Sequence, residues 1–239
     1  MQIVPFGEQA VRMIFGSKID PSIQRQMNRF LRLFDKRIFS GFIEYVPAYT
    51  NIAFYYNPVD VLAAAAPQEK SAQAAVKHYL NKLYMQLDKL ADARVENMRR
   101  TVSIPVCYGG EFGPDLDDVA SYHGLTKEEV IRRHSAPSYL VYMLGFAPGF
   151  PFLGGLPESL ATPRRDSPRL KIAAGSVGIA GSQTGAYPLD SPGGWQLIGR
   201  TPIDLFLPDS NPPTLLMAGD LVRFAPISAE QFQQIKEPF

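Results

Sequence analysis

Between Gly145 and Pro202 the chain concentrates eleven of its 19 glycines and eight of its 21 prolines. Breakers at that density exclude helix, because proline removes a backbone donor and clashes with the preceding turn, while glycine gives up the most backbone entropy. The same stretch holds Phe146, Phe150, Phe152, Leu153, Ile179, Trp195 and Ile198. Apolar side chains of that size need a core or a ligand to cover them, so the stretch is no flexible linker either. What remains is an ordered, turn-rich β structure with exposed backbone at several points, a common setting for binding.

The preceding part of the chain reads differently. Ile3–Phe6 and Ala10–Phe15 form two strands around Gly7-Glu8, and Asp20-Pro21 caps an amphipathic helix carrying Ile23, Met27, Phe30, Leu31 and Phe34. Phe42–Val46 and Ile52–Tyr56 are further strands, and a second helix is expected from Ser71 to Arg94. After a boundary near Asn97, Arg99–Val106 alternates as a strand and two short helices follow, Leu116–His123 and Lys127–His134. The second opens with Thr126 and Glu129 at capping-box spacing. Strands and turns are expected from there to the end, with Asp204–Leu207 and Asp220–Phe224 as late strands. The expected fold class is therefore α+β, with a small α/β domain over residues 1–97 and a second, mainly β domain over 98–239.

A net charge of +1 gives no general electrostatic pull toward nucleic acid or an anionic membrane. No apolar run approaches bilayer-spanning length, and Met1–Gly7 has no basic region followed by an apolar stretch, so neither a membrane anchor nor a signal peptide is expected. The single cysteine, Cys107, cannot form an intrachain disulfide, which suits the cytoplasm. Its place in the alternation of Val102, Ile104 and Val106 makes it a strand residue rather than a nucleophile.

Several groups carry chemistry. Asp118–Val130 resembles a helix-turn-helix, but Glu128 and Glu129 at the second helix's N-terminus would face phosphates, so a structural hairpin is expected. Glycine spacing at Gly145–Gly149 and Gly175–Gly181 lacks the lysine of a Walker loop and the strand-to-helix setting of a dinucleotide fingerprint. Anion binding there would use exposed amides with Arg164, Arg165, Arg169 and Lys171; the alternative is that these cations only solvate a loop. His78 and His123 sit on helices, whereas His134 precedes the glycine-rich region and is open to two readings, proton carrier or helix terminator. No cluster has metal-ligand spacing. Trp195 after Pro192-Gly-Gly194, with Ser182, Gln183, Thr184 and Tyr187-Pro188, fits either a core or a small-molecule or peptide groove.

Together these residues carry a resemblance. Tyr139-x-Val141, Gly145–Gly155, Pro163-Arg-Arg165, Pro168-Arg169, Ala174–Gly181, Gly185–Pro188, Ser191–Trp195 and Gly199–Pro202 are similar to the signature of the 5-oxoprolinase B-subunit family, also called the KipI or allophanate hydrolase subunit 1 family. The likeness extends from Gly7 and Val46–Tyr49 to the C-terminus. It departs from the family pattern at Ala173 for a proline, at Ala186 for a bulkier residue and at Phe152 for a frequent tyrosine.

The resemblance implies a small α/β domain followed by a cyclophilin-like β-barrel, and a role as a non-autonomous enzyme component. The A, B and C subunits of such an enzyme together use ATP, with Mg2+, to open the lactam 5-oxoproline to glutamate; the C subunit is allophanate hydrolase subunit 2-like. Some family members instead bind a sporulation histidine kinase and block its autophosphorylation. The expected catalytic residues are His134, Arg165 and Arg169. Expected at the substrate and ATP are Arg164, Lys171, Gly175, Ser176, Gly178, Gly181, Gln183, Tyr187, Trp195 and Arg200, with no metal ligand.

Overall fold

The computed structural model describes residues 1–87 and 100–236. The chain divides into two compact units, Met1–Met98 and Arg99–Phe239. The boundary expected near Asn97 and the end of the helix expected at Arg94 lie outside the described residues.

In the first unit, β1 (Gln2–Pro5), β2 (Ala10–Ile14), β3 (Phe42–Pro47) and β4 (Asn51–Tyr56) form an antiparallel sheet in the order β1-β2-β4-β3. Helix α1 (Pro21–Phe34) starts as expected, with the Asp20 carboxylate accepting from the Ser22 amide at 2.6 Å and proline at the first helical position. The Asn57-Pro58 pair uses the same device: the Asn57 side chain accepts from the Val59 amide at 3.0 Å and opens α2 (Pro58–Ala64), a helix the hydrophobic pattern does not announce. Helix α3 (Ala72–Tyr84) begins under the Ser71 hydroxyl. Side chains of α1 and α3 bury one sheet face in a core of Met13, Met27, Phe30, Phe34, Ile52, Phe54 and Leu80. Phe34 is its hub, with ring centroids 5.0 Å from both Phe42 and Phe54.

Among the described residues the second unit contributes nine strands. They are β5 (Thr101–Tyr108), β6 (Tyr139–Leu144), β7 (Pro151–Gly154), β8 (Arg169–Ile172), β9 (Ser176–Ala180), β10 (Gln183–Ala186), β11 (Ser191–Gly193), β12 (Gln196–Arg200) and β13 (Leu221–Ile227). Seven of them close a barrel in the order β10-β7-β6-β13-β5-β12-β9. Only β5 and β13 run parallel; the other pairings are antiparallel. Strands β8 and β11 form a two-stranded ribbon outside the barrel order. The hairpin of α4 (Leu116–His123) and α5 (Lys127–Ser135) packs its Val119, Ala120 and Val130 into the barrel core.

Three local expectations need correction. Asp204–Leu207 is no strand but a loop held by one bridge, Phe206 to Thr214, because Pro208, Pro212 and Pro213 withdraw the donors a ladder needs. The capping box at Thr126 is half-made: its hydroxyl accepts the Glu129 amide at 3.2 Å, but the Glu129 carboxylate turns to Arg132 and Arg133. The reciprocal box lies instead at Ser228 and Gln231, where the hydroxyl accepts one amide at 3.2 Å and the Gln231 side chain accepts the other at 2.9 Å. It opens an unexpected terminal helix, α6 (Ala229–Lys236).

Candidate functional site

The glycine-rich region converges on a residue outside it. Asp115, 2% exposed, occupies the cap position of α4 yet makes no side-chain bond to that helix. Its amide donates to the Leu197 carbonyl at 2.9 Å and its Oδ2 accepts the Leu197 amide at 2.6 Å. These two bonds dock the start of α4 on β12 where that strand's register shifts against β9, between Leu197 and Gly199. The other oxygen, Oδ1, accepts from Arg165 Nη1 at 2.9 Å and Arg169 Nη2 at 2.6 Å. One carboxylate thus holds two guanidiniums, and the cluster keeps one net positive charge.

Among the described residues, each arginine spends a single Nη on Asp115 and makes no other side-chain hydrogen bond. Arg165 Nε and Arg169 Nη1 are buried without any partner in the protein. A buried charged donor left unpaired carries a desolvation cost of about 1–3 kcal/mol or more, which sets these two atoms apart from the paired majority of buried polar groups.

Beside the arginines lies a small aromatic core of Phe150, Tyr187 and Trp195 with Ile172 and Leu197. Its rings meet edge to face, Phe150 to Trp195 at 5.7 Å and Phe150 to Tyr187 at 5.4 Å. Glycines make room for them. A Cβ on Gly193 would come within 2.6 Å of the Tyr187 hydroxyl, and one on Gly185 within 3.2 Å of both the Phe150 and Trp195 rings. Burial pushes the Tyr187 phenol up to about 12, against the opposing pull of Arg164 and Arg169. At the tip of the Gly145–Gly149 loop, Phe146 adopts a left-handed backbone (φ 67°), is 71% exposed and sets its ring edge-on to Phe150 at 5.6 Å. An exposed bulky residue in that backbone region is costly and clusters at functional loops.

The remaining expected residues fall into other roles. Lys171 pairs with Asp190 at 2.9 Å, and Arg200 donates to the Ala174 carbonyl at 2.8 Å. Asp190 also accepts the Ala174 amide at 2.8 Å, so these groups fix the turn before β9. The expected cradle of exposed glycine amides is not formed. The Gly175 amide donates to the Tyr187 carbonyl at 2.7 Å, Ser176 to that of Ala173 at 3.2 Å and Gly181 to that of Thr162 at 2.7 Å, while Gly178 lies in β9 between β10 and β12. Turns and an isolated bridge at the two ends of β9 consume these donors, which a reading of glycine spacing misses. Gln183 begins β10 and is half-buried; Trp195 is core. Arg164 is exposed. Among the described residues, no three His, Cys, Asp or Glu side chains gather as a metal site.

His134 is not placed to carry protons to a ligand. It is 0% exposed, stacks on Phe224 at 4.8 Å, and has both ring nitrogens bonded at 2.8 Å, Nδ1 to Tyr108 Oη and Nε2 to Thr184 Oγ1. Thr184 gives its only hydroxyl proton to the Gly178 carbonyl at 2.9 Å, so it accepts from His134. The neutral ring therefore carries its proton on Nε2 and accepts from the Tyr108 phenol at Nδ1. Burial drives its pKa down to about 3. Cys107, in β5, is likewise a buried strand residue whose thiol burial pushes up. In the α4–α5 hairpin, Glu129 engages both arginines of the second helix, which suits a structural hairpin.

The family described as "Carboxyltransferase domain, subdomain C and D" matches residues 1–216. The chain belongs to that family. A protein named as the B subunit of 5-oxoprolinase from Bacillus subtilis is 47% identical over 236 residues, 99% of this chain and 97% of the relative. Another of that name from Haemophilus influenzae is 43% identical over 226 residues, 94% of this chain and 97% of the relative. Among solved structures, TTHA0988 is 33% identical with a TM-score of 0.76, covering 92% of this chain but 40% of the other. Family members thus occur as chains of this length and as part of longer ones. Asp115, which organises the site, does not stand out in the sequence, because Gly113-Pro114-Asp115 before a helix is sufficiently explained as a cap.

Proposed function

We propose that this chain is the B subunit of an ATP-dependent 5-oxoprolinase that opens 5-oxoproline to L-glutamate. The supporting observation is identity of 47% and 43% to curated relatives of that name along nearly their whole length. In this reading the chain acts in the cytoplasm with an A subunit and a C subunit, the latter allophanate hydrolase subunit 2-like. Among the described residues no helix is long and apolar enough to cross a membrane.

Opening a lactam requires its amide to be activated. Transfer of the terminal phosphoryl group of ATP to the carbonyl oxygen releases ADP and makes the carbonyl carbon a strong electrophile; water adds there, the nitrogen takes a proton as the C–N bond breaks to leave an acyl phosphate, and a second water displaces phosphate to give the free carboxylate. The residues here do not fit a nucleotide cradle, since the glycine amides, Lys171 and Arg200 are engaged within the fold. The phosphates and their Mg2+ are therefore assigned to the other two components. What this chain offers is the Asp115-held arginine pair, a fixed cationic group for an anionic reactant.

Reconstitution with the other components, omitting each in turn, tests the reading. Loss of 5-oxoproline-dependent ATP hydrolysis on omitting this chain alone is expected; unchanged turnover without it would overturn the assignment.

A further inference from the structure

We infer that Arg165 and Arg169, positioned by Asp115, form a subsite for a single carboxylate: the carboxylate of the lactam substrate rather than a phosphate. The inference rests on the 5-oxoprolinase reading and deepens it. Three observations carry it.

The first is charge. Asp115 cancels one of the two guanidinium charges, so the cluster itself keeps one; of the cations around it, Lys171 is matched by Asp190 at 2.9 Å, Arg200 is turned to the Ala174 carbonyl and Arg164 is exposed to solvent. A site with one net positive charge is balanced by a monoanion, whereas a phosphate dianion would be left one charge in excess beside a buried carboxylate.

The second is donor geometry. Both guanidiniums use one Nη on the same oxygen of Asp115, which leaves the rest of each fork uncommitted. Two of those remaining donors, Arg165 Nε and Arg169 Nη1, are buried with no partner in the protein. A planar, two-oxygen acceptor is the chemistry that forked donors match.

The third is rigidity. Asp115 cannot turn away to neutralise either arginine further, because its Oδ2 is held by the Leu197 amide at 2.6 Å and its own amide by the Leu197 carbonyl at 2.9 Å. Arg165 is tied through its amide to the Gly194 carbonyl at 2.8 Å, and Arg169 sits opposite Gly193 in the β8–β11 ribbon. The two glycines that anchor the pair are those preceding Trp195. The pair is thus preorganised on strand and turn backbone, the condition under which binding spends least on ordering.

Asp115 is a positioning residue in this scheme, and the arginines are the groups that touch the ligand. The test uses the reconstituted enzyme with Arg165→Gln and Arg169→Gln, each of which leaves Asp115 with one guanidinium and the Leu197 amide and so keeps a balanced ion pair in the fold. Steady-state kinetics should show KM for 5-oxoproline raised about tenfold or more, with KM for ATP within about twofold of the parent. Arg165→Lys, which keeps the charge but loses the fork, should give an intermediate rise and serves if the glutamine variants fail to fold. Asp115→Asn keeps an acceptor but removes the balancing charge, and should make inorganic phosphate a better competitor against 5-oxoproline by about fivefold or more. A rise in KM for ATP with KM for 5-oxoproline unchanged, or no change in either, overturns the subsite. Because the omission experiment reports separately on whether the chain is needed at all, failure of the subsite and failure of the proposed function are distinguishable.

Discussion

The two units solve the burial problem in opposite ways. The first fills its core with aromatic and aliphatic side chains around Phe30, Phe34 and Phe54, and its one fully buried polar side chain among the described residues, Gln24, has both amide atoms without a partner. The barrel unit buries Asp115, His134, Thr162, Ser176, Thr184, Thr201 and Asp220. Its carboxylates and histidine are met by several specific donors and acceptors: Asp115 accepts three hydrogen bonds, and Asp220 takes Arg100 and the Met217 amide. An apolar core tolerates exchange of one hydrocarbon for another of similar volume. A buried polar network tolerates almost none, because each removed partner leaves another stranded in low dielectric. The unit that specifies geometry this way is the one that carries the candidate site.

Removing the keystone should break the barrel unit hardest. Asp115→Ala strands two guanidiniums and the Leu197 amide, for an expected loss of about 3 kcal/mol or more, read as a lowered midpoint in urea denaturation. A Phe34→Leu change in the first unit, which exchanges one hydrocarbon for another, should cost about half of that, which would confirm that tolerance differs between the cores.

Acid should separate the units next. His134 has a folded pKa near 3 against an ordinary value of 6.5, so the unfolded chain takes up the proton first. Its contribution is fully present above pH 6.5 and is lost as pH falls from there toward 3, at about 1.4 kcal/mol per unit. Denaturation at about pH 7, 6 and 5 should show the barrel transition losing stability with that slope. His134→Gln should flatten it; an unchanged slope would mean that another group governs acid sensitivity.

The smallest effect has the opposite sign. Replacing Gln24 by Leu removes two unpaired polar atoms from an apolar core and should stabilise the first unit by about 1 kcal/mol, seen as a rise in Tm.

Much of the scaffold is legible in the chain. Asp20-Pro21, Ser71 and the α4–α5 hairpin are readable because caps and periodicity are local. Asn57-Pro58 and Ser228–Gln231 carry equally local signals that are easily missed, since neither precedes a long apolar stripe. The site is legible only as composition. Arg165 and Arg169 meet on one buried carboxylate, but Lys171 and Arg200 brace a turn and His134 lies in the core, and no spacing rule separates these outcomes.

By itself the sequence determined that Gly145–Pro202 is ordered β structure, that the chain is α+β, and to which family it belongs, because breaker density, periodicity and ordered motifs are properties of neighbouring residues. Tertiary structure alone decided what the glycines are for. They admit Tyr187, Trp195 and Phe150, and the amides of Gly175 and Gly181 are taken up by bonds within the fold. It also decided that an aspartate 50 residues from Arg165 and 54 from Arg169 holds both arginines. Contacts across such separations arise where the start of α4, docked on β12, meets the loop and ribbon that carry the arginines, and such packing pairs residues by position in space rather than by position in the chain.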